Sequence, residues 1–308
     1  MRPQAHFQIL VWSGAIQQHT VHVDGQSIVY LRAGEQGSPL LLIHGFAASA
    51  DTWILNIEVL AARHRVYAID LIGFGRSALP DAPYSLDYYA RFLGRCLDAL
   101  DLERAHIAGH SMGGKLALYF ALEQPERVER LVLVDSDGFG PVPIWGRVTL
   151  SHWIIEALVR LAASERAMRP LMRRMVYRPD PAFINDQVLA ELRHAMLDPE
   201  HMRVLVTLSR EYRTFDLSLA GGIERLPELS MPILLLWGAQ DRTFPLKLGA
   251  RAATLLPTAR YVVFDRCGHL PMLEHPETFN RVVLEFLAES QPLAHTRQAR
   301  LAAAGARQ

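Results

Sequence analysis

A serine at position 111 is flanked by glycines two places away on either side, in the run Gly-His-Ser-Met-Gly from Gly109 to Gly113. The apolar stretch Ala105 to Gly109 before it reads as a short strand. Gly114 to Leu122 after it reads as a helix that stops near Pro125. Glycines at those offsets let a strand and a helix approach closely around a sharp turn, which lifts the hydroxyl above the sheet edge in a nucleophile's position. A serine hydroxyl is a poor nucleophile at neutral pH. It needs an adjacent base, and the base needs a buried carboxylate to hold its tautomer. Two later segments supply these types. Asp241 lies just past the apolar run Ile233 to Trp237, and His269, in Cys-Gly-His, lies past Tyr261 to Phe264. The chain order Ser111, Asp241, His269 suits a strand-turn-helix nucleophile. Asp135, directly after Leu131 to Val134, also ends a strand and competes for the carboxylate role.

An acyl-transfer intermediate also needs donors aimed at its developing oxyanion. The N–H of Met112, next to the serine, is one candidate. The other is the N–H of Phe46, where His44-Gly-Phe follows the strand Leu40 to Ile43. The Phe46 side chain then faces the acyl pocket. His44, His110, Asp70 and Asp241 invite a metal reading, but His44 precedes a turn glycine and His110 adjoins the nucleophile, where structural hydrogen bonds are the simpler roles. No metal or cofactor is expected. Asp70 to Ser77, Asp-Leu-Ile-Gly-Phe-Gly-Arg-Ser, lacks both phosphate-loop signatures and reads as a tight structural turn. Lys115 is expected to run off its helix or pair with a carboxylate. Cys96 reads as a core residue and Cys267 as a possible site-lining thiol; two cysteines match no disulfide scaffold or zinc spacing.

These residues need elements to position them. His19 to Val23 and Ser27 to Leu31 alternate around Asp24-Gly25 as a hairpin. Leu40 to Ile43 and Val66 to Ile69 are unbroken apolar runs, as strands buried on both faces should be. Helical patterns over Trp53 to Ala62 and Tyr84 to Leu100 complete a strand-helix alternation that breaks after Asp135. Helical patterns rich in Arg, Met and Leu then run to Pro227, before buried strands resume and Phe279 to Ala288 supplies a closing helix. The expected division is a core of residues 1–137 and 231–290, a helical cap of 138–230 over the serine, and a tail of 291–308 that is a frayed helix or a disordered end. Trp145, Leu150, Trp153, Met172 and Met175 from the cap, with Phe46, His110 and Leu270, are the expected pocket lining.

With 308 residues, half of them hydrophobic, the chain can bury a substantial core. Thirty-two basic residues balance thirty-two acidic ones, and the pI is about 7.3, so nothing steers the chain towards nucleic acid or an anionic membrane. No segment has the form of a secretory signal or the length of a membrane span. The expectations are a cytoplasmic location, a small-molecule substrate, no stable membrane association, and a monomer or homodimer.

From about His19 to Ala288 the sequence resembles the α/β-hydrolase fold superfamily. The likeness is carried by His44-Gly-Phe-Ala, the Asp70 to Ser77 turn, Gly109-His-Ser-Met-Gly-Gly114, Trp237-Gly-Ala-Gln-Asp-Arg-Thr-Phe-Pro245 and Gly268-His269. It implies a mostly parallel eight-stranded sheet flanked by helices with an inserted helical cap. It further implies Ser111 as nucleophile, His269 as base, Asp241 as orienting acid, and Phe46 and Met112 as the oxyanion hole. Dehalogenases and epoxide hydrolases of this superfamily carry Asp at the turn, so Ser111 argues against both.

Within the superfamily, Arg266-Cys-Gly-His-Leu270, Glu274 to Arg281 and Met175-Val-Tyr177 resemble the carbon-carbon bond hydrolases of meta-cleavage products. That group usually has Asn before the nucleophile and Trp after the catalytic histidine, where this chain has His110 and Leu270. On those departures, the expected activity is carboxylesterase action on small to medium acyl chains through an acyl-serine. The alternatives are carbon-carbon hydrolysis, favoured by an anion-binding arginine among Arg173, Arg174 and Arg178, and lipase action behind an apolar cap. A non-enzymatic scaffold would be expected to lack the complete set Ser111, Asp241 and His269.

Overall fold

The computed structural model describes residues 14–140, 151–177, 185–210, 214–289 and 298–301. Trp145, Leu150 and Arg178, assigned above to the pocket or to anion binding, lie outside these residues.

A hairpin, β1 (Gln17–Val23) and β2 (Gln26–Ala33), turns at Asp24-Gly25, both at positive φ. The hairpin leads to β3 (Pro39–Ile43), α1 (Ile54–Ala61) and β4 (Arg65–Ile69). The helix expected over 53–62 is divided here, because a 3-10 turn capped by Ser49 occupies Ala50–Trp53 before α1 begins. Next come α2 (Leu86–Ala99), capped by Ser85, then β5 (Ala105–His110), α3 (Met112–Glu123) and β6 (Val128–Val134).

Among the described residues four helices follow before the sheet resumes: α4 (His152–Ala162), α5 (Glu165–Met175), α6 (Asp186–Leu197) and α7 (Pro199–Arg210). The core then continues with β7 (Ile233–Gly238), α8 (Leu246–Leu255), β8 (Arg260–Phe264), a single turn α9 (Pro271–Glu274) and α10 (Pro276–Ala288). Last is β9 (Gln298–Leu301).

The strands form one sheet in the order β1-β2-β4-β3-β5-β6-β7-β8-β9. The β1–β2 and β2–β4 pairs are antiparallel and the other pairs parallel. Parallel strands covered on both faces need apolar residues at every position, and side-chain alternation then divides them between two cores. Leu41, Ile43, Ile107, Leu131 and Leu133 pack with α2 and α3, while Leu40, Leu42, Ala108, Val132 and Val134 pack with α1 and α10. Truncating one such leucine to alanine costs about 2–5 kcal/mol.

The eight expected strands are therefore present, and a ninth joins them. Gln298–Leu301 pairs in parallel with β8, from Tyr261↔Gln298 to Phe264↔Leu301, which corrects the expectation of a frayed helix or disordered end for these four residues; the rest of the 291–308 tail lies outside the described residues. Without it, β8 would present an open edge of backbone donors and acceptors. A four-residue strand within an Ala- and Arg-rich run is too short for its alternation to show in sequence. Among the described residues no helix is long and apolar enough to cross a membrane.

Candidate active site

Ser111 sits between β5 and α3 at φ 55°, ψ −119°, a backbone conformation costly for any residue with a Cβ. The glycines around it are explained by contact. A Cβ on Gly109 would stand 2.3 Å from the carbonyl of Gly113, and one on Gly113 would stand 2.3 Å from that of His44. The turn is fastened to the sheet by Ser111 N–H donating to Val134 O at 2.9 Å, and to the cap entrance by Asp137 N–H donating to Ser111 O at 3.0 Å. The serine hydroxyl makes no capping bond to α3. Met112 is the first residue of α3, so its N–H has no partner within the helix and points out of the N-terminus.

The loop after β3 closes on this turn. A Cβ on Gly45 would lie 3.1 Å from both Ser111 Cβ and His110 Nδ1, so Gly45 lets the Phe46 backbone come alongside the serine. His44 holds the loop: its Nδ1–H donates to Gly45 O at 2.7 Å, and its Nε2 accepts Leu71 N–H at 3.0 Å. Burial lowers its pKa despite Asp70 nearby, keeping the ring neutral as that pattern requires. The Phe46 ring is 49% exposed and lies edge-on to Phe74. The Asp70 to Ser77 stretch is the structural turn expected: Asp70 accepts from Arg76 Nε at 2.7 Å and from Ala50 N–H at 2.7 Å.

His269 and Asp241 meet as the chain order suggested. His269 Nδ1–H donates to Asp241 Oδ2 at 2.7 Å, and Asp241 Oδ1 accepts the N–H of Thr243 and Phe244 at 2.7 and 3.0 Å. Both side chains are buried. With its proton on Nδ1, the imidazole keeps a lone pair on Nε2. The two loops that bring the pair together touch at Gly238, where a Cβ would stand 1.8 Å from Gly268 O. Asp135, the rival carboxylate, is also fully buried and lies in the same cluster, where one carboxylate oxygen of Asp135, one of Asp241 and a ring nitrogen of His269 lie within 4.8 Å of one another. The hydrogen bond to the imidazole belongs to Asp241.

His110 locks the histidine loop to the serine strand. Its Nε2–H donates to His269 O at 2.9 Å, and the two rings stand 4.7 Å apart. Burial, and then the neighbouring His269, push the His110 pKa well below the usual imidazole range.

Two residues to which the sequence assigned no role prove to be organisers. Glu274, on α9, accepts N–H bonds from Tyr177 (2.7 Å), Gly268 (2.9 Å) and Leu270 (3.2 Å), tying the end of α5 to the His269 loop. His269 N–H itself donates to Met175 O at 2.6 Å. Asp137 accepts from the buried Lys115 ammonium at 2.6 Å, which realises the carboxylate pairing expected for that lysine. The sequence signals for Glu274 were its place five residues beyond His269 and at the head of the Glu274 to Arg281 stretch.

Of the expected pocket residues, Met172 and Leu270 share a small apolar cluster with Met168, Val176 and Leu189, where the cap meets the histidine loop. Trp153, by contrast, is 70% exposed on α4, away from the interior expected for it, because α4 buries Ile155 instead. Arg173 and Arg174 are exposed. Cys267 is buried with its Sγ 3.8 Å from Glu274, and burial raises its thiol pKa well above the ordinary value, so it stays protonated.

Residues 40–282 match the family model described as the alpha/beta hydrolase family. The chain belongs to the alpha/beta hydrolase family. Its relatives place this hydrolase in the serine-hydrolase branch that includes meta-cleavage-product hydrolases and related esterases and lipases. It is 33% identical over 276 residues to the 2-hydroxy-6-oxononadienedioate/2-hydroxy-6-oxononatrienedioate hydrolase of Paraburkholderia xenovorans, covering 86% of this chain and 92% of that one. It is 33% identical to the 2-hydroxy-6-oxo-6-phenylhexa-2,4-dienoate hydrolase of Burkholderia cepacia, over 84% and 91% of the two chains. A solved meta-cleavage product hydrolase from Pseudomonas fluorescens superposes with a TM-score of 0.75 at 30% identity, covering 91% of this chain and all of that one.

These relatives overturn the expectation of a carboxylesterase for simple esters. That expectation rested on His110 and Leu270 departing from the usual Asn and Trp. In the structure His110 holds the carbonyl of His269 and Leu270 packs under the cap. Both positions therefore brace the histidine loop, a task that several residue types can perform.

Proposed function

We propose that this hydrolase cleaves a carbon-carbon bond in a 2-hydroxy-6-oxo-dienoate, the alternative that the sequence left in second place. The observation that carries the reading is the near full-length likeness to hydrolases of that substrate type, joined to the His269–Asp241 pair beside the Ser111 turn. In this reading residues 138–230 act as the cap over a core of 1–137 and 231–290.

The chemistry follows from the substrate. Moving the proton of the 2-hydroxyl to C5 gives a 2,6-diketone in which C5 can leave as a stabilised carbanion. Ser111 Oγ then attacks the C6 ketone while His269 Nε2 takes the hydroxyl proton and Asp241 holds the resulting imidazolium. The oxyanion on C6 is received by the N–H groups of Met112 and Phe46, and one such donor is worth about 3 kcal/mol in the transition state. When the C5–C6 bond breaks, its electron pair runs through the conjugated system to the C2 oxygen, which regains a proton from His269. Water activated by His269 then releases the acyl group from Ser111. Conjugation makes a carbon leaving group comparable to an alkoxide, so esterase-like machinery suffices.

The test is product analysis. Given 2-hydroxy-6-oxo-6-phenylhexa-2,4-dienoate, the enzyme should yield benzoate and 2-hydroxypenta-2,4-dienoate in equal amounts. Given the nonadienedioate, it should yield succinate and the same dienoate. Failure to turn over either compound, with ready hydrolysis of nitrophenyl esters, would reject the reading.

A further inference from the structure

Asp135 is a second carboxyl group beside the Asp241–His269 pair, and the mechanism above gives it no role. It directly follows β6 at φ 40°, has no exposed surface, and has one oxygen committed: Oδ1 accepts Gly238 N–H at 2.9 Å. Its other oxygen, Oδ2, is buried without a hydrogen-bond partner among the described residues. An ionised carboxylate left that way is costly, whereas a carboxylic acid carries a proton there and needs only an acceptor. The acceptor type is at hand, since the ligand-type atoms of Asp135, Asp241 and His269 lie within 4.8 Å of one another. Asp241, which accepts from Thr243, Phe244 and His269, is the better supplied with donors and is the natural bearer of the charge.

We propose that Asp135 is a protonated positioning residue that presents its carboxyl hydrogen to Asp241 and so extends the relay from Ser111 through His269 and Asp241 to a fourth side chain. The proposal rests on the assignment of Ser111, His269 and Asp241 as that relay. Burial, and then Asp241 itself, push the Asp135 carboxyl well above the ordinary carboxylate range, while the Gly238 N–H pulls the other way. The remaining groups facing it are compatible with a neutral acid. The phenol of Tyr261 on β8 and the thiol of Cys267 are both held protonated by burial. Glu274 on α9 adds a carboxyl that also favours the protonated form of Asp135. The role assigned is to fix the Asp241 carboxylate and spread its charge, which sets how strongly Asp241 favours the imidazolium of His269.

Two measurements test this on the purified full-length enzyme. The first is infrared spectroscopy on protein labelled with carbon-13 at aspartate carboxyls. At neutral pH it should show the carbonyl stretch of a protonated acid, lost in Asp135→Asn. The second is the pH dependence of Ser111 labelling by a fluorophosphonate, which needs no knowledge of the substrate. Asp135→Ala removes the donor and should move the acid limb up by about one pH unit, with slower labelling near neutrality. Asp135→Asn, neutral and still able to donate, should bring the limb back towards the wild-type position.

If Asp135 were ionised, both variants would remove a negative charge and move the limb down. That result, or the absence of the protonated-acid stretch, would overturn the proposal. Should Asp135→Ala fail to fold, the stretch and the Asn profile still decide. Wild-type enzyme that shows the stretch but leaves Ser111 unlabelled would sink the relay assignment. Labelled enzyme without the stretch would sink only the proposal for Asp135.

Discussion

Gly238 shows how much of the site rests on a single missing side chain. A Cβ there would meet Gly268 O at 1.8 Å, and both partners are backbone, so neither can swing aside. Gly238→Ala must therefore push the His269 loop away from the Asp241 loop. We expect a loss of about 1–3 kcal/mol in stability, the usual cost of overpacking. Turnover should fall by about two orders of magnitude, because an ångström of misplacement in a catalytic group has that effect. Thermal unfolding and kcat measured side by side would check both, and unchanged kcat in a destabilised protein would show that the loops realign. At this scale the sequence was most legible. The sharp turn at Ser111 and the meeting of Asp241 with His269 were both readable from residue type and chain order beside strand ends. Asp135 stayed ambiguous for the same reason, since two carboxylates ended strands and only the coordinates show which one holds the imidazole.

At the scale of elements, the cap and the core meet through Glu274. This carboxylate gathers three N–H groups, one from the end of α5 and two from the His269 loop, and Met175 O adds a fourth bond by accepting from His269 N–H. Burial raises the Glu274 carboxyl pKa, and the three N–H donors pull it back. Glu274→Ala should cost about 3 kcal/mol or more, since hydrogen bonds to a charged acceptor contribute roughly 1.5–3 kcal/mol each and the part-buried Gly268 and Leu270 amides lose their acceptor. If the clamp also sets the base, kcat for the dienoate should fall more than KM rises; a pure KM effect would mean that Glu274 shapes only the pocket. Sequence could not reveal this clamp. Its contacts join Tyr177, Gly268 and Leu270 through backbone atoms, which leave no mark on residue type. The alternation of strands and helices was readable because buried parallel strands require apolar residues on both faces, as in Leu40 to Ile43. β9 was not, because a strand of four residues at the sheet edge has too little pattern to stand out.

For the whole molecule, a nine-stranded sheet and two apolar cores hold the Ser111, Asp241 and His269 loops at the same end of their strands, and among the described residues four helices lie between β6 and β7 in the chain, the end of α5 bonding to the His269 loop. That scaffold is shared by enzymes acting on esters and on carbon-carbon bonds, so the fold alone does not choose the reaction. His110 and Leu270 pointed towards simple esters when read as departures from a pattern. Seen as braces of the histidine loop, they carry no such preference, and the proposed carbon-carbon reading rests on the near full-length likeness to hydrolases of meta-cleavage products. The most direct measurement of the central claim is kcat/KM for 2-hydroxy-6-oxo-6-phenylhexa-2,4-dienoate and for nitrophenyl acetate on the same preparation, with Ser111→Ala alongside. The account predicts a preference for the dienoate of at least about tenfold, roughly 1.4 kcal/mol of differential transition-state binding, and loss of turnover in Ser111→Ala. An ester preference of that size, or dienoate turnover that survives the loss of the serine hydroxyl, would contradict it.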